Sequence, residues 1–359
     1  MKKKILISTG GSGGHTMPAV TLYEHLKNNF DIFLTTDKRG AKYIDKNIYN
    51  YKIIEVPKIS KNIFKIPYIL YFFIISLIKS FFFIKNNNIQ ILVSTGGYMS
   101  IPLCVSAILL KRKIYLFEPN MVVGRSNKLF LKFSEKIICY FKSLKNFPTE
   151  YKNKIYVIKP LLREKIYKEE KNTKNTIHKS FKILIMGGSQ GAEFFDNEIS
   201  DLIVDLSKNY KISIIQQITT ENKMQLLKEK YLKIGVENQL FNFNEEIYKE
   251  YNQIDFAITR AGASTISELI FFNVPFLAIP LPKSKDNHQF YNAKEYFDKK
   301  VCWLINQSDY KKEKIKEFII SLIRNSEDYF EKKNNMSKFS YQNSWNNINQ
   351  KLLTLLNEN

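Results

Sequence analysis

Five short stretches of this sequence combine glycines with hydroxyl, imidazole or carboxylate side chains, a combination suited to phosphate binding and proton transfer. The first is GGSGGH at residues 10–15, directly after the apolar run ILIS at 5–8. Glycines permit a tight turn and the close approach of a ligand to the backbone. The amides that start the following helix favour an anion. His15 stands at that point, where histidine can accept a proton near neutral pH; a sharp turn with a surface histidine is the alternative interpretation.

The other four stretches indicate that the same kind of loop recurs in both halves of the chain. They are STGGY at 94–98, MGGSQGA at 186–192, RAGASTISE at 260–268 and DNHQ at 286–289. The stretch at 186–192 repeats the form of the first, and 260–268 repeats that of 94–98. Glu268 is interpreted either as a carboxylate for two ribose hydroxyls or as a helix cap. The Asp, Asn, His and Gln side chains of 286–289 suit neutral sugar hydroxyls.

Strand-like apolar runs alternate with helical patterns around these loops, which predicts parallel sheets covered on both faces. The composition of the chain changes between residues 159 and 180, where Lys, Glu, Asn and Thr dominate. We therefore expect two doubly wound α/β domains, residues 1–160 and 161–339, that face each other across a cleft. A C-terminal helix at 340–359 is expected to pack back on the first domain. Ligands of open α/β sheets bind outside the carboxyl ends of the strands.

Composition narrows the function classes. At 359 residues and 44% apolar content, two folded domains are favoured. The formal charge of +21 favours anionic lipids, nucleic acid or phosphate-bearing substrates. Scattered cysteines, Cys104, Cys139 and Cys302, suit a reducing cytoplasm, and the apolar run after Lys4 is too short for a signal peptide.

Several site types are disfavoured by missing motifs. No Gly-Lys-Ser/Thr follows the glycines, which disfavours a nucleoside triphosphatase loop. The histidines lack paired spacing and no Asp-x-Asp occurs, so no metal site is expected; His25 and His178 are interpreted as surface residues. No nucleic-acid-binding motif stands out. Asp37 follows the second strand and could imitate a ribose-binding acid, which leaves a nicotinamide or flavin oxidoreductase as an alternative.

The segment at residues 66–84 is apolar except for Lys79. Its length could just span a bilayer, but it lies between strands of what looks like one domain. A buried helix and a helix lying on a membrane surface are the two interpretations that remain.

Together and in this order, the five stretches resemble the MurG family, the peptidoglycan glycosyltransferases that move N-acetylglucosamine from UDP-N-acetylglucosamine onto lipid I to make lipid II. The resemblance runs from the first strand to about residue 295. It implies the GT-B fold, two Rossmann-like domains with the active site between them. It also implies an inverting transfer with no cofactor and no catalytic metal. The alternative within this fold is another enzyme that transfers a sugar from UDP to a lipid.

The resemblance also implies the roles of particular residues. His15 would be the base for the acceptor hydroxyl, Glu268 would take the ribose hydroxyls, and the loop at Gly96, Gly97 and Tyr98 would meet the acceptor diphosphate, as would the first glycine loop. The implied donor-binding residues are Ser12, Gly13, Gly14, Asn120, Arg163, Ser189, Asn244, Ala263, Ser264, Thr265, Ile266, Ser267, Glu268, His288 and Gln289.

The family's acceptor carries a polyprenyl tail, so the resemblance places the enzyme peripherally at the cytoplasmic face of the bacterial inner membrane. The apolar segment at 66–84 would then contact lipid, rimmed by positive charge. The basic residues of that rim are Lys79, Lys85, Lys111, Arg112 and Lys113. The sequence departs from the family pattern at FEPN (117–120), IKPLLR (158–163) and QQIT (216–219), where Asn120, Arg163 and Gln217 are retained.

Overall fold

The computed structural model describes residues 2–57, 62–170, 180–188, 193–324 and 327–358. The chain divides into two compact units, Met1–Tyr167 together with Asn343–Asn359, and Lys168–Gln342. The first unit therefore runs seven residues further than the boundary at 160 drawn from the sequence. The reason is packing, because Leu161, Leu162 and Ile166 are buried.

The first unit is built on a seven-stranded sheet of order β3-β2-β1-β4-β5-β6-β7, in which every neighbouring pair is parallel. Its strands are β1 Lys4–Ser8, β2 Asp31–Thr36, β3 Tyr51–Ile53, β4 Ile91–Ser94, β5 Lys113–Glu118, β6 Lys136–Cys139 and β7 Ile155–Val157. Its helices are α1 Gly13–Leu26, α2 Ile66–Asn86, α3 Ser100–Leu109, α4 Arg125–Lys128, α5 Glu164–Tyr167 and, from the end of the chain, α12 Trp345–Asn357.

The helices cover both faces of this sheet. The β1–β2 connection through α1 moves one way along the sheet and the β3–β4 connection through α2 moves the other way. Right-handed crossovers therefore place α1 and α2 on opposite faces. Helix α12 packs on α1, and its Ile348, Leu352 and Leu356 join the core that α1 covers.

The second unit repeats this plan on a six-stranded parallel sheet of order β10-β9-β8-β11-β12-β13. Its strands are β8 Phe181–Met186, β9 Ile212–Gln217, β10 Glu237–Phe241, β11 Phe256–Thr259, β12 Phe276–Ala278 and β13 Trp303–Leu304. Its helices are α6 Ser200–Ser207, α7 Glu221–Lys233, α8 Ala263–Phe271, α9 His288–Asp298, α10 Lys312–Ile323 and α11 Glu327–Ser340.

Each sheet has one point where the strand order reverses. In the first sheet it lies between β1 and β4, and in the second between β8 and β11. Ligands of open α/β sheets bind at such switch points, outside the carboxyl ends of the strands. The glycine corners at 10–15, 94–98 and 260–268 follow β1, β4 and β11, and the described residues 186–188 of the fourth corner lie at the end of β8. The topology therefore brings the described parts of the two corners of each sheet to one edge.

His25 is not the surface residue that the sequence suggested. It is 1% exposed, it stacks on Trp345 with ring centroids 3.9 Å apart, and its ring nitrogens contact the Asn349 side chain and the Leu162 carbonyl. Burial lowers its pKa to about 4, so the ring is neutral at physiological pH. His25 thus fastens α12 and the end of the first unit to α1. His178 lies outside the described residues.

Candidate active site

The two glycine corners of the first unit touch each other at the switch point. Gly97 has a φ of +91°, and a Cβ placed there would lie 2.8 Å from the carbonyl oxygen of Gly10. A side chain at this position would therefore be both strained and in collision. Next to it, a Cβ on Gly96 would lie 3.3 Å from Nδ1 of His15. The glycines thus let the β4 corner close over the start of α1, where the His15 ring lies.

One hydrogen bond fixes the tautomer of His15. Its Nδ1 lies 3.0 Å from the carbonyl oxygen of Thr95. A carbonyl oxygen only accepts, so Nδ1 carries the hydrogen and Nε2 carries the basic lone pair of the neutral ring. The Thr95 hydroxyl in turn lies within hydrogen-bond distance of the carbonyls of Ser8 and His15, at 3.3 and 3.2 Å. This arrangement prepares Nε2 to accept a proton.

Glu118 orders the loop that carries Asn120, a role the sequence alone did not indicate. It is buried at the end of β5, and its carboxylate accepts from the Asn120 side chain at 2.9 Å and from the Gly124 amide at 2.7 Å. Burial raises the pKa of Glu118, and the hydrogen bonds oppose that rise. Asn127 joins this cluster to β4, because its side chain contacts both Glu118 and the Ser94 hydroxyl.

We expect Glu118→Gln to destabilise the protein despite its nearly identical shape. Both carboxylate oxygens of Glu118 accept hydrogen bonds from N–H donors. In the glutamine variant an NH₂ group replaces one of these oxygens, so the donors that faced that oxygen lose their acceptor. Leaving buried donors unpaired costs about 1–3 kcal/mol of the free energy of unfolding. Urea unfolding followed by circular dichroism measures the change in the free energy of unfolding.

The matched control is Glu150→Gln, which removes the same charge from an exposed turn. It should change the free energy of unfolding by less than about 0.5 kcal/mol. Equal stability of the two variants would show that Glu118 does not organise the loop.

The second unit presents the start of α8 at its own switch point. The first turn, Ala263, Ser264 and Thr265, offers backbone amides and hydroxyls, and within this fully described helix no side chain caps the N-terminus. Arg260 stabilises the corner before α8 by hydrogen bonds to the loop after β12. Its guanidinium donates to the carbonyls of Ile279 and Pro280. Burial lowers the pKa of Arg260 to about 10, which still leaves it charged at neutral pH.

Glu268 is not a helix cap, because it is the sixth residue of α8 and lies beyond the first turn. Its Oε2 accepts a hydrogen bond from the hydroxyl of Tyr251 at 3.0 Å. Tyr251 is buried and packs edge-on against Phe272. Sequence reasoning missed Tyr251, which fixes the carboxylate from the turn of helix before β11.

The DNHQ stretch lies beside the same corner. His288 begins α9, and its Nδ1 donates to the carbonyl of Lys285 at 2.8 Å. Burial lowers its pKa. Gln289 accepts from the Leu281 amide through Oε1, and the buried Asn292 donates to the carbonyl of Ala261. Asn292, which the sequence did not single out, thereby ties α9 to the corner before α8.

Some predicted donor contacts are placed differently. Ile266 is fully buried, and the buried Ser267 hydroxyl donates back to the carbonyl of Ala263. These two side chains face the core because they occupy the inner face of α8. Ile266 and Ser267 could therefore contact a donor only through their backbone, and their place in the donor site stays a prediction. Asn244 lies after β10, where its side chain accepts from the Glu246 amide. Ser189 lies outside the described residues. Arg163 is buried in the first unit, immediately before α5.

Two parallel-sheet Rossmann-like units, with glycine corners at the switch points of their sheets, have the GT-B fold. Family models then show the class of protein, a glycosyltransferase. Models of the glycosyltransferase family 28 N-terminal and C-terminal domains match residues 5–139 and 182–348. The UDP-N-acetylglucosamine--N-acetylmuramyl-(pentapeptide) pyrophosphoryl-undecaprenol N-acetylglucosamine transferase of Pelagibacter ubique strain HTCC1062 is 48% identical over 359 residues, the full length of both chains. This chain belongs to that family of transferases, the MurG family.

Other relatives agree. The transferase of the same name from Rickettsia felis is 35% identical over 335 residues, which cover 90% of this chain and 91% of the relative. Among solved structures, Acinetobacter baumannii MurG gives a TM-score of 0.74 at 21% identity and covers 98% of each chain. A UDP-glucosyltransferase from Polygonum tinctorium gives 0.73 at 12% identity, covering 100% of this chain and 99% of its own. The structural likenesses show the fold, and the sequence relatives show the family.

The oxidoreductase alternative is therefore wrong, and the structure shows what Asp37 does instead. Its Oδ1 accepts from the amides of Gly11 and Gly40 at 2.9 and 2.8 Å, and its Oδ2 takes the guanidinium of Arg39. The carboxylate is thus already occupied in holding the glycine loop.

Proposed function

We propose that the first unit binds the acceptor and supplies the base, and that the second unit binds the donor. The reaction is the transfer of N-acetylglucosamine from UDP-N-acetylglucosamine to lipid I, which forms lipid II and UDP in peptidoglycan synthesis. The chain is an N-acetylglucosaminyltransferase. The observation that supports the division most directly is the oriented His15 ring at the β1–β4 switch point.

The proposed mechanism is a single displacement with inversion. The acceptor hydroxyl attacks the anomeric carbon as its bond to UDP breaks, and His15 Nε2 takes the hydroxyl proton. The leaving diphosphate gains negative charge, which the amides and hydroxyls of Ala263–Thr265 stabilise at the start of α8 without reorganisation. Glu268 holds the ribose hydroxyls, His288 and Gln289 face the sugar, and the backbone near Asn244 faces the uracil.

In the proposal the first unit also contributes donor contacts through Ser12, Gly13, Gly14 and Asn120, which Glu118 holds in place. The backbone amides of the same glycine loop meet the acceptor diphosphate. Gly96, Gly97 and Tyr98 line the acceptor side of the same corner. The decisive experiment is radiolabelled transfer from UDP-N-acetylglucosamine to purified lipid I, with diacylglycerol as the alternative acceptor. Transfer to diacylglycerol but not to lipid I would overturn the assignment of the acceptor.

We expect Glu268→Ala to weaken donor binding about 10- to 100-fold, because two charge-assisted hydrogen bonds to the ribose would be lost. The turnover number at saturating donor should change much less, since the ribose lies far from the reacting carbon. Calorimetric titration with UDP and steady-state kinetics measure the two effects.

Tyr251→Phe is the matched control for Glu268, since it keeps the carboxylate and removes the hydroxyl that orients it. It should weaken UDP binding by a smaller factor than Glu268→Ala. UDP affinity that is unchanged in both variants would show that Glu268 has no part in donor binding.

The proposed membrane contact is helix α2, in which small polar side chains are buried and large apolar side chains are exposed, the reverse of the usual pattern in a soluble protein. Of its 21 residues, those buried are Ser76, Ser80 and Ile84. The Ser76 hydroxyl donates to the carbonyl of Glu55, and the α3 residue Ser106 donates to the carbonyl of Leu77. Apart from Lys79, Lys85 and Asn86, the exposed side chains are apolar or aromatic, and the large ones are Ile66, Tyr68, Leu70, Tyr71, Phe72, Ile74, Ile78 and Phe82. The buried-helix interpretation of this segment is therefore wrong.

Among the described residues α2 is the one helix long and apolar enough to cross a bilayer, but its surroundings favour a position along the membrane surface. Its second half packs against α3, and Lys65 and Lys85 bound its two ends. A helix with basic ends and an apolar exposed face lies in the boundary between headgroups and acyl chains, and tyrosines such as Tyr68 are typical of that layer.

Positive charge beside α2 supports anionic lipid as the partner. Lys79 and Lys85 lie on α2 itself, and Lys111, Arg112 and Lys113 follow α3, which packs against it. Each basic residue near an anionic surface contributes about 1 kcal/mol to binding. We therefore place the enzyme at the cytoplasmic face of the inner membrane, as a peripheral protein that meets lipid I in the bilayer.

A further inference from the structure

We infer that Arg39 binds the diphosphate of the lipid acceptor, a role that rests on the proposed acceptor site of the first unit. Arg39 follows β2, the strand next to β1 on the side away from β4. It was not among the residues that the motifs singled out. Its side chain reaches the glycine loop that starts α1.

The geometry of the guanidinium is fixed by Asp37. Arg39 donates from Nε at 2.9 Å and from Nη2 at 2.6 Å to the same carboxylate oxygen, Oδ2. The other oxygen, Oδ1, accepts from the amides of Gly11 and Gly40. One buried carboxylate therefore holds the arginine and the glycine loop in a single frame.

Arg39 retains donors that the described residues do not engage. Two of its five N–H groups bind Asp37, and within the described part of the chain the guanidinium has no other partner. Its side chain is 43% exposed. Nη2 lies 4.0 Å from the position that a Cβ on Gly11 would occupy. The cation therefore lies beside the backbone of the glycine loop at Gly11.

The start of α1 adds its own donors within a few residues. The helix begins at Gly13, its first turn reads GGHT without a carboxylate, and in this fully described helix the Ser12 side chain does not cap the amides. A planar guanidinium beside helix-start amides is the arrangement that suits phosphate oxygens. A diphosphate has enough oxygens to meet both sets of donors.

We assign this site to the diphosphate of the acceptor rather than to the diphosphate of the donor. The donor phosphates have their own helix start at α8 in the second unit, as proposed above. His15, on the β4 side of the same loop, marks the place of the acceptor hydroxyl. Arg39, on the β2 side, then marks the place of the phosphates attached to that sugar.

The test compares Arg39→Gln with the wild type in the transfer assay. We expect the KM for lipid I to rise at least tenfold, while the KM for UDP-N-acetylglucosamine changes less than twofold. The matched control is Lys42→Gln, which removes an exposed cation three residues away on the next turn and should leave both constants unchanged. An unchanged KM for lipid I, or an equal rise in both constants, would overturn the inference.

A second variant covers the case in which loss of the ion pair unfolds the protein. Arg39→Lys keeps a cation for Asp37 but loses the fork, so its KM for lipid I should lie between those of the wild type and Arg39→Gln. If Arg39→Lys behaves as wild type while Arg39→Gln does not fold, the residue serves only the ion pair and the inference fails.

Binding of inorganic pyrophosphate separates this inference from the proposed function. With saturating UDP present to fill the donor site, pyrophosphate should raise the melting temperature of the wild type and of Lys42→Gln but not of Arg39→Gln. That result supports the anion site even if lipid I proves not to be the acceptor. Equal shifts in all three proteins would refute the role of Arg39.

Discussion

Replacing His15 by alanine should lower the turnover number about 10²- to 10⁴-fold, the range that a positioned general base contributes. The affinity for UDP should change little, because the proposed donor contacts belong mainly to the second unit. The physical basis is the bond from Nδ1 to the Thr95 carbonyl, which leaves Nε2 as the basic nitrogen. Single-turnover transfer to lipid I and UDP titration measure the two quantities.

His15→Asn is the control that separates base from scaffold. The asparagine amide can still donate to the Thr95 carbonyl, so the β4 corner keeps its bond to α1, but no basic nitrogen remains. We expect it to be as inactive as His15→Ala. Substantial turnover in His15→Asn, or equal damage to turnover and to UDP affinity in His15→Ala, would contradict the role of His15 as the base.

The glycine corners could be predicted from the sequence because their signals are local. An apolar run followed by glycines and a helical pattern specifies strand, turn and helix within about fifteen residues. The alternation of such units specifies parallel sheets, and the strand order then brings the corners at residues 10–15 and 94–98 to one switch point. Gly97 meets Gly10 there because both strands end at the same edge of the sheet.

The supports of the site could not be predicted because they depend on contacts between distant residues. Tyr251 reaches Glu268 from another element, and Glu118 is enclosed by donors that come from the loop after it. In sequence, Glu118 was part of an atypical FEPN motif, and nothing local indicates that it is buried. The inward orientation of Ile266 and Ser267 likewise depends on which face of α8 meets the sheet.

Helix α2 shows a different limit. Its residues are so uniformly apolar that periodicity identifies no inner face. Only packing shows that the small polar residues Ser76 and Ser80 are buried, with the Ser76 hydroxyl on the carbonyl of Glu55. The larger side chains are left outside, and this reversal is the basis of the membrane contact proposed above.

The double variant Ile78→Gln with Phe82→Gln should therefore release the enzyme from membranes. The two residues are one helical turn apart and are 51% and 53% exposed, so they share the outward face of α2. Transfer of two half-exposed apolar side chains into lipid contributes about 3 kcal/mol, so partitioning into liposomes should fall about a hundredfold. Flotation with vesicles that contain phosphatidylglycerol measures the loss.

Two comparisons decide what that loss means. Leu226→Gln with Leu232→Gln removes similar exposed apolar surface, 67% and 63% exposed, from α7 of the second unit, and it should leave flotation unchanged. The melting temperature of the α2 variant should stay close to that of the wild type, because neither side chain is part of the core. Unfolding of that variant would show that α2 is held by its apolar side chains within the protein, and equal flotation of all three proteins would exclude α2 as the membrane contact.

Weaker binding of the wild type to the vesicles in 1 M salt is also expected, since the basic residues beside α2 act through a charge interaction that salt screens.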